Sequence, residues 1–235
     1  SYCGIWGLRP TYNAISTIGV LPLGPSFDTV GILAPSRHIL ERVAAQLLNK
    51  KVLQTAEPHK SIKNLLLCDD LLALIEPGIA QDIVAATVKA NSYFDSVKHI
   101  KISDTLDCHS LVGIFNAIRA FEAWQCHGQW LENNGPNMAP AIKERFLKCK
   151  DATEDEAIKG RLEQQKIQQL LADLLADDTA LCFPTTTALP PLKQASAEAL
   201  QQNRMANMSL CAIASLSGFP QISIPISLSN HKPIV

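Results

Sequence analysis

The chain has 235 residues, 47% of them hydrophobic, and its 21 basic and 22 acidic side chains leave a formal net charge of −1. That length and apolar content can bury a sizeable core and exclude a disordered chain, while the balanced charge excludes the basic face that nucleic acid demands. The longest apolar runs, such as Leu65–Cys68 and Leu71–Ile75, fall well short of the roughly 20 residues of a bilayer span.

Gly, Pro and β-branched residues dominate the first 34 positions, which read as turns and short strands. Pro35-Ser36 then offers a helix start, and Ile39, Leu40, Val43, Leu47 and Leu48 follow at helical spacing up to Asn49. A polar linker runs on to Lys60. Ile62 to Cys68 is a short apolar run ending at Asp69-Asp70, as expected of a strand covered on both faces. A helix is predicted over 80–94, with Ile83, Thr87, Ala90 and Phe94 on one side, and a strand over 97–102. The next helix, 110–130, repeats Leu111, Ile114, Phe115, Ile118 and Phe121 at three and four residues. A loop over 132–140 leads to a charged amphipathic helix whose apolar stripe is Leu162, Ile167, Leu170, Leu171, Leu174 and Leu175. Leu181-Cys182-Phe183 reads as a strand stopped by Pro184 and the Thr185-Thr186-Thr187 loop. A last helix follows Pro190-Pro191 and runs through Leu216, and Ile222, Ile224 and Ile226 alternate as a strand. Strands alternating with helices define an α/β fold around a mainly parallel or mixed sheet. There is no internal repeat.

The seven cysteines (3, 68, 108, 126, 149, 182 and 211) are odd in number and contain no Cys-x-x-Cys pair, a pattern of free thiols in a reducing, cytoplasmic setting. Two Cys-His neighbours, Cys108-His109 and Cys126-His127, invite a nucleophilic dyad. Consecutive residues on a helix point about 100° apart, so buried thiols beside surface histidines are the expectation. The six histidines are scattered without ligand spacing, and no metal or other cofactor is expected. No Gly-x-Ser-x-Gly elbow occurs, since Gly24-Pro25-Ser26 continues into Phe27-Asp28.

Three ordered motifs near the start and one block near the end carry a resemblance. Residues 1–11, Ser-Tyr-Cys-Gly-Ile-Trp-Gly-Leu-Arg-Pro-Thr, resemble the stretch that follows the nucleophile in the amidase signature family. Ser16 to Pro22 resembles its Ser-x-x-Gly-Val-x-Pro segment and Ser26 to Gly31 its Ser-x-Asp-Thr-Val-Gly segment. Phe183-Pro184-Thr185 and Ser215 to Pro225 are similar to its distal Pro-Thr loop and Gly-x-Pro block. Ser26 to Gly31, His127 to Trp130 and Leu210 to Pro220 look closest to the branch of indole-3-acetamide amidases and amidase-like envelope receptors. Asn13 stands where the family often has glycine, and Asn is the residue that best tolerates a left-handed turn.

The resemblance implies an amidase signature fold, a mixed β-sheet core flanked by helices on both faces and incomplete at both ends. It makes residues 1–235 part of a single amidase domain that lacks the N-terminal catalytic portion and the last strand and helix. It implies hydrolysis of a small neutral carboxamide, such as an aryl acetamide, by a nucleophilic Ser activated through a second Ser by a desolvated neutral Lys. Backbone N–H groups of a Gly-rich turn would hold the oxyanion. All three catalytic residues belong before Ser1, which aligns after the nucleophile, so no catalytic residue is expected within this chain. Trp130, Arg145, Thr185 and Thr186 are the implied substrate-pocket wall. The span from Asn203 to Phe219 has no acidic residue, unlike the glutamine-using branch, which favours a neutral amide as the partner molecule. The resemblance allows a homodimer. The alternative is a catalytically inactive amidase-like receptor, a binding module for protein import.

Overall fold

A computed structural model describes residues 2–48, 61–175, 178–227 and 233–234. Ser1, the expected linker through Lys60 and most of the chain after Ser227 lie outside these residues. Among the described residues the strands form two three-stranded sheets and a two-stranded ribbon. In the first sheet, β1 (Trp6–Arg9) is the centre, flanked antiparallel by β2 (Ile32–Ala34) and β6 (Gln221–Ser223). In the second, β3 (Asn64–Cys68) lies between β4 (Ser96–Ile100) and β5 (Thr179–Cys182), all parallel. The ribbon pairs β7 (Ile226–Ser227) with β8 (Pro233–Ile234).

The parallel sheet explains why Leu65 to Cys68 shows no alternation of polar and apolar residues. Both of its faces are covered, so every side chain of the run is buried. Leu67 packs on one side with Leu72 of the short α2 (Asp69–Leu72), Ile75 and Ile79 beneath α3 (Pro77–Ala90). Cys68 packs on the other side, in the main core, with Ile102, Leu111, Ile118, Leu171, Leu210 and Leu216. That core is built by three long helices: α4 (Leu111–Asn134), α6 (Glu154–Leu175) and α7 (Ala197–Ser217). Burying each such aliphatic side chain contributes about 1.5–3 kcal/mol. Helices on both faces of a central sheet are what the motifs implied. A smaller core joins the antiparallel sheet to α1 (Arg37–Leu47) through Ile15, Ile32, Ala34 and Leu40.

Helix ends follow local chemistry. Ser36 and Ser196 cap α1 and α7, their hydroxyls accepting from the amides of Ile39 at 3.4 Å and Ala199 at 3.1 Å. Thr153 and Glu156 form a reciprocal capping box at α6, Thr153 Oγ1 accepting from Glu156 N at 3.3 Å and Glu156 Oε2 from Thr153 N at 3.1 Å. Asn13 adopts φ 63, the left-handed conformation expected where the family often has glycine.

Four expectations need correction. The helix predicted over 80–94 starts at Pro77, because proline at the first helical position forgoes an amide that has no partner there anyway. Helix α4 continues four residues past Trp130 and stops at Gly135, whose φ of 47 ends it, and a separate helix, α5 (Pro140–Lys148), stands between the expected loop and the charged helix. The stripe on α6 is only partly buried. Leu162 is 54% exposed and Leu170 is exposed too, while Ala157, Gly160, Ile167 and Leu171 face the core. The reason is the close approach at Gly160, which centres the contact on small residues. Finally, Ile222 and Ile224 are exposed, and Pro225 separates β6 from β7.

Candidate active site

The turn formed by residues 2–4 and the loop after β5 meet on the first half of α7. Pro184 is buried and ends β5, which sets the Thr185-Thr186-Thr187 loop against the helix. Asn203 and Asn207, one helical turn apart on α7, bridge the two segments. The Tyr2 hydroxyl donates to Asn203 Oδ1 at 2.8 Å and accepts from Asn207 Nδ2 at 2.6 Å. Asn207 Oδ1 accepts from Thr187 N at 2.9 Å and Thr187 Oγ1 at 3.2 Å. Thr186 Oγ1 donates to Ala188 O at 3.3 Å, which turns the loop back on itself.

Arg204 lies between these asparagines in sequence. Burial, reinforced by the like charges of Arg145 and Arg119, lowers its pKa from the usual guanidinium value. The structure therefore brings Arg145, an exposed residue of α5, into charge range of α7 and α4. Trp130 stands elsewhere, at the C-terminal end of α4, where it is 52% exposed. One turn earlier on the same face, His127 Nε2 lies 2.6 Å from Pro22 O. That contact seats a loop whose aliphatic tips face outward, Ile18 at 95% and Leu21 at 80% exposure. Trp130 is thus an exposed aromatic one helical turn from the point where this loop is held.

The base of the loop is fixed by charge. Asp28 Oδ2 accepts from Leu23 N at 2.8 Å and Gly24 N at 3.1 Å. Glu122, buried on α4, accepts from Ser26 N at 2.9 Å, from the Ser26 hydroxyl, and from Arg161 Nη2 of α6 at 3.2 Å. Arg9 Nη2 donates to Phe27 O at 3.1 Å, and burial lowers its pKa, while its buried Nη1 has no partner among the described residues.

The Cys-His neighbours are not activated. Burial, with Asp70 and Asp107 nearby, pushes the Cys108 thiol up to about 11, and burial followed by Glu122 and Asp28 raises Cys126. An active thiol nucleophile needs a lowered pKa. Among the described residues no group of three or more His, Cys, Asp or Glu side chains could hold a metal ion, and no helix is long and apolar enough to cross a membrane.

Of the residues named from sequence, Thr185 and Thr186 lie in the loop held by α7, Arg145 is close enough for its charge to act on Arg204, and Trp130 is exposed at the end of α4. Tyr2, Thr187, Asn203, Asn207, Arg204 and Glu122 escaped the sequence reading. The one available signal was a pair of asparagines four residues apart, flanking an arginine in a helix whose other charged residue is Glu198.

Comparison with known proteins accords with this geometry. No family model matches the chain. Over its whole length it is 31% identical to "Amidase 1" of Arabidopsis thaliana, of which it spans 61%. Over 99% of its length it is 26% identical to "Translocon at the outer membrane of chloroplasts 64" of Pisum sativum, spanning 43% of that protein. The backbone superposes on the crystal structure of an amidase with a TM-score of 0.78, covering 99% of this chain and 53% of that one at 19% identity. The fold is that of this amidase structure, and along its whole length the chain is similar to plant amidases and to a plant translocon protein. It spans about three fifths of the length of the plant amidases it matches.

Proposed function

We propose that the native protein hydrolyses the C–N bond of a small neutral carboxamide to an acid and ammonia. The two serines and the lysine of the acyl-enzyme mechanism are then contributed by sequence outside these 235 residues. The serine hydroxyl adds to the amide carbonyl as its proton passes through the bridging serine to neutral lysine, ammonia leaves with a proton, and water hydrolyses the ester. The observation that supports this reading is that Asn207 ties the Tyr2 turn, which follows the nucleophile in the family pattern, to the Thr185-Thr187 loop.

Within that reading Thr185, Thr186 and Arg145 line the pocket and Trp130 guards its entrance. The exposed apolar side chains of Trp130, Ile18 and Leu21 suit an aromatic acyl group, and the absence of any acid between Asn203 and Phe219 removes the anchor that an ammonium-bearing substrate requires. The odd number and scattered spacing of the seven cysteines suit a cytoplasmic location. A second reading, an amidase-like binding module, draws on the exposed Ile18 and Leu21 and on the 26% identity to the pea translocon protein. Ammonia release from phenylacetamide separates the two. The native protein is expected to produce it and the isolated 235-residue chain is not. Turnover by the isolated chain would contradict the placing of the catalytic residues elsewhere.

A further inference from the structure

Asn207 uses every hydrogen-bonding position of its amide, and it does so in two opposite directions. Thr187 offers a backbone N–H, which can only donate, so the side of Asn207 that faces it at 2.9 Å must be the carbonyl oxygen. The NH2 group consequently points the other way, donating to the Tyr2 hydroxyl at 2.6 Å and to Asn203 Oδ1 at 3.0 Å. Asn203 Oδ1 also takes the Tyr2 proton at 2.8 Å, which closes a ring of three side chains. Sequence separations of 205 residues to Tyr2 and 20 to Thr187 meet on one amide.

We propose that Asn207 is a positioning residue of the amidase site. It sets the spacing between the turn that carries the reacting serine and the Thr185-Thr187 loop that contacts the substrate. This rests on the amidase reading above. The two halves of the amide have separable duties: Oδ1 holds the pocket wall, and Nδ2 holds the catalytic turn through Tyr2. A misplacement of reacting groups by about 1 Å can cost up to roughly a hundredfold in rate, so a bracket between the two segments has kinetic consequences.

The test is steady-state kinetics of the native protein on phenylacetamide, comparing wild type with N207A, N207D and Y2F. Aspartate keeps the acceptor for Thr187 and loses the donors, whereas Y2F removes only the hydroxyl at the other end. N207D and Y2F should both lower kcat about tenfold with KM within about threefold of wild type. N207A should lower kcat similarly and also raise KM about tenfold. Loss of folded enzyme lowers apparent kcat by whatever fraction of each variant unfolds and leaves KM unchanged, so identical KM values for N207A and N207D would overturn the assignment. Should N207A fail to fold, N207D and Y2F decide the matter, and wild-type kcat in both would overturn it. A wild-type protein that releases no ammonia overturns the amidase reading and this assignment together, whereas active wild type with unaffected variants overturns this assignment alone.

Discussion

The carboxylate of Glu122 accepts a hydrogen bond from the backbone N–H of Ser26, 96 residues earlier in the chain, at 2.9 Å. The same group takes the Ser26 hydroxyl and the Arg161 guanidinium, so one buried side chain joins the Ser26-to-Gly31 motif, α4 and α6. Glu122→Ala would strand an N–H group and leave a guanidinium unpaired. It should cost about 2–3 kcal/mol, and Glu122→Gln less, in urea unfolding of the native protein. An unchanged midpoint for Glu122→Ala would show that the clamp is not structural.

Gly160 and Gly113 should respond to alanine with opposite signs. A Cβ on Gly160 would meet Ile118 Cγ1 at 2.9 Å, inside a core where Ile118 has no exposed surface. Gly160→Ala should therefore lower stability by about 1–2 kcal/mol even after the gain in helix propensity. Gly113, within α4, has open space where its Cβ would stand. Gly113→Ala should raise stability by about 0.5–1 kcal/mol, read as a higher melting temperature.

Asp70 makes stability sensitive to acid. Burial pushes its carboxyl up, but hydrogen bonds from Ser103, Ile102 and Leu71 outweigh that and hold it below the ordinary 3.8. A carboxyl lowered on folding contributes stability that is complete above 3.8 and is lost as the pH falls through the folded value. Asp70→Asn should thus be less stable than wild type at neutral pH, with the gap narrowing below pH 4. A gap that is constant across this range in thermal melts would contradict the assignment.

Thiol chemistry should leave activity intact. Burial raises the Cys68, Cys108, Cys126, Cys182 and Cys211 thiols, so at pH 7.5 they hold even less thiolate than an unperturbed cysteine. Brief treatment with iodoacetamide should reduce ammonia release by less than about twofold. Complete loss together with alkylation of Cys108 or Cys126 would revive a cysteine nucleophile.

The fold was legible because its strongest signals are local. Ser36 before a periodic apolar run, the uninterrupted Leu65 to Cys68 strand and the Gly218 helix stop each name their structure. What escaped depended on contacts between distant segments. Leu162 belongs to a helical stripe by spacing, yet Gly160 decides which side meets α4. Proline starts of helices at Pro77 and Pro140 sit where proline also reads as a breaker. Tyr2, Thr187 and Asn207 have no shared sequence signal, because what unites them is a set of hydrogen bonds on one amide between segments far apart in the chain.

The most direct measurement is mass spectrometry of the native protein after a serine-directed acylating reagent, with ammonia release from phenylacetamide followed in parallel. The account predicts a single acylated serine, outside residues 1–235, whose modification abolishes turnover. Acylation confined to a serine of this chain, or full activity in the acylated protein, would contradict it.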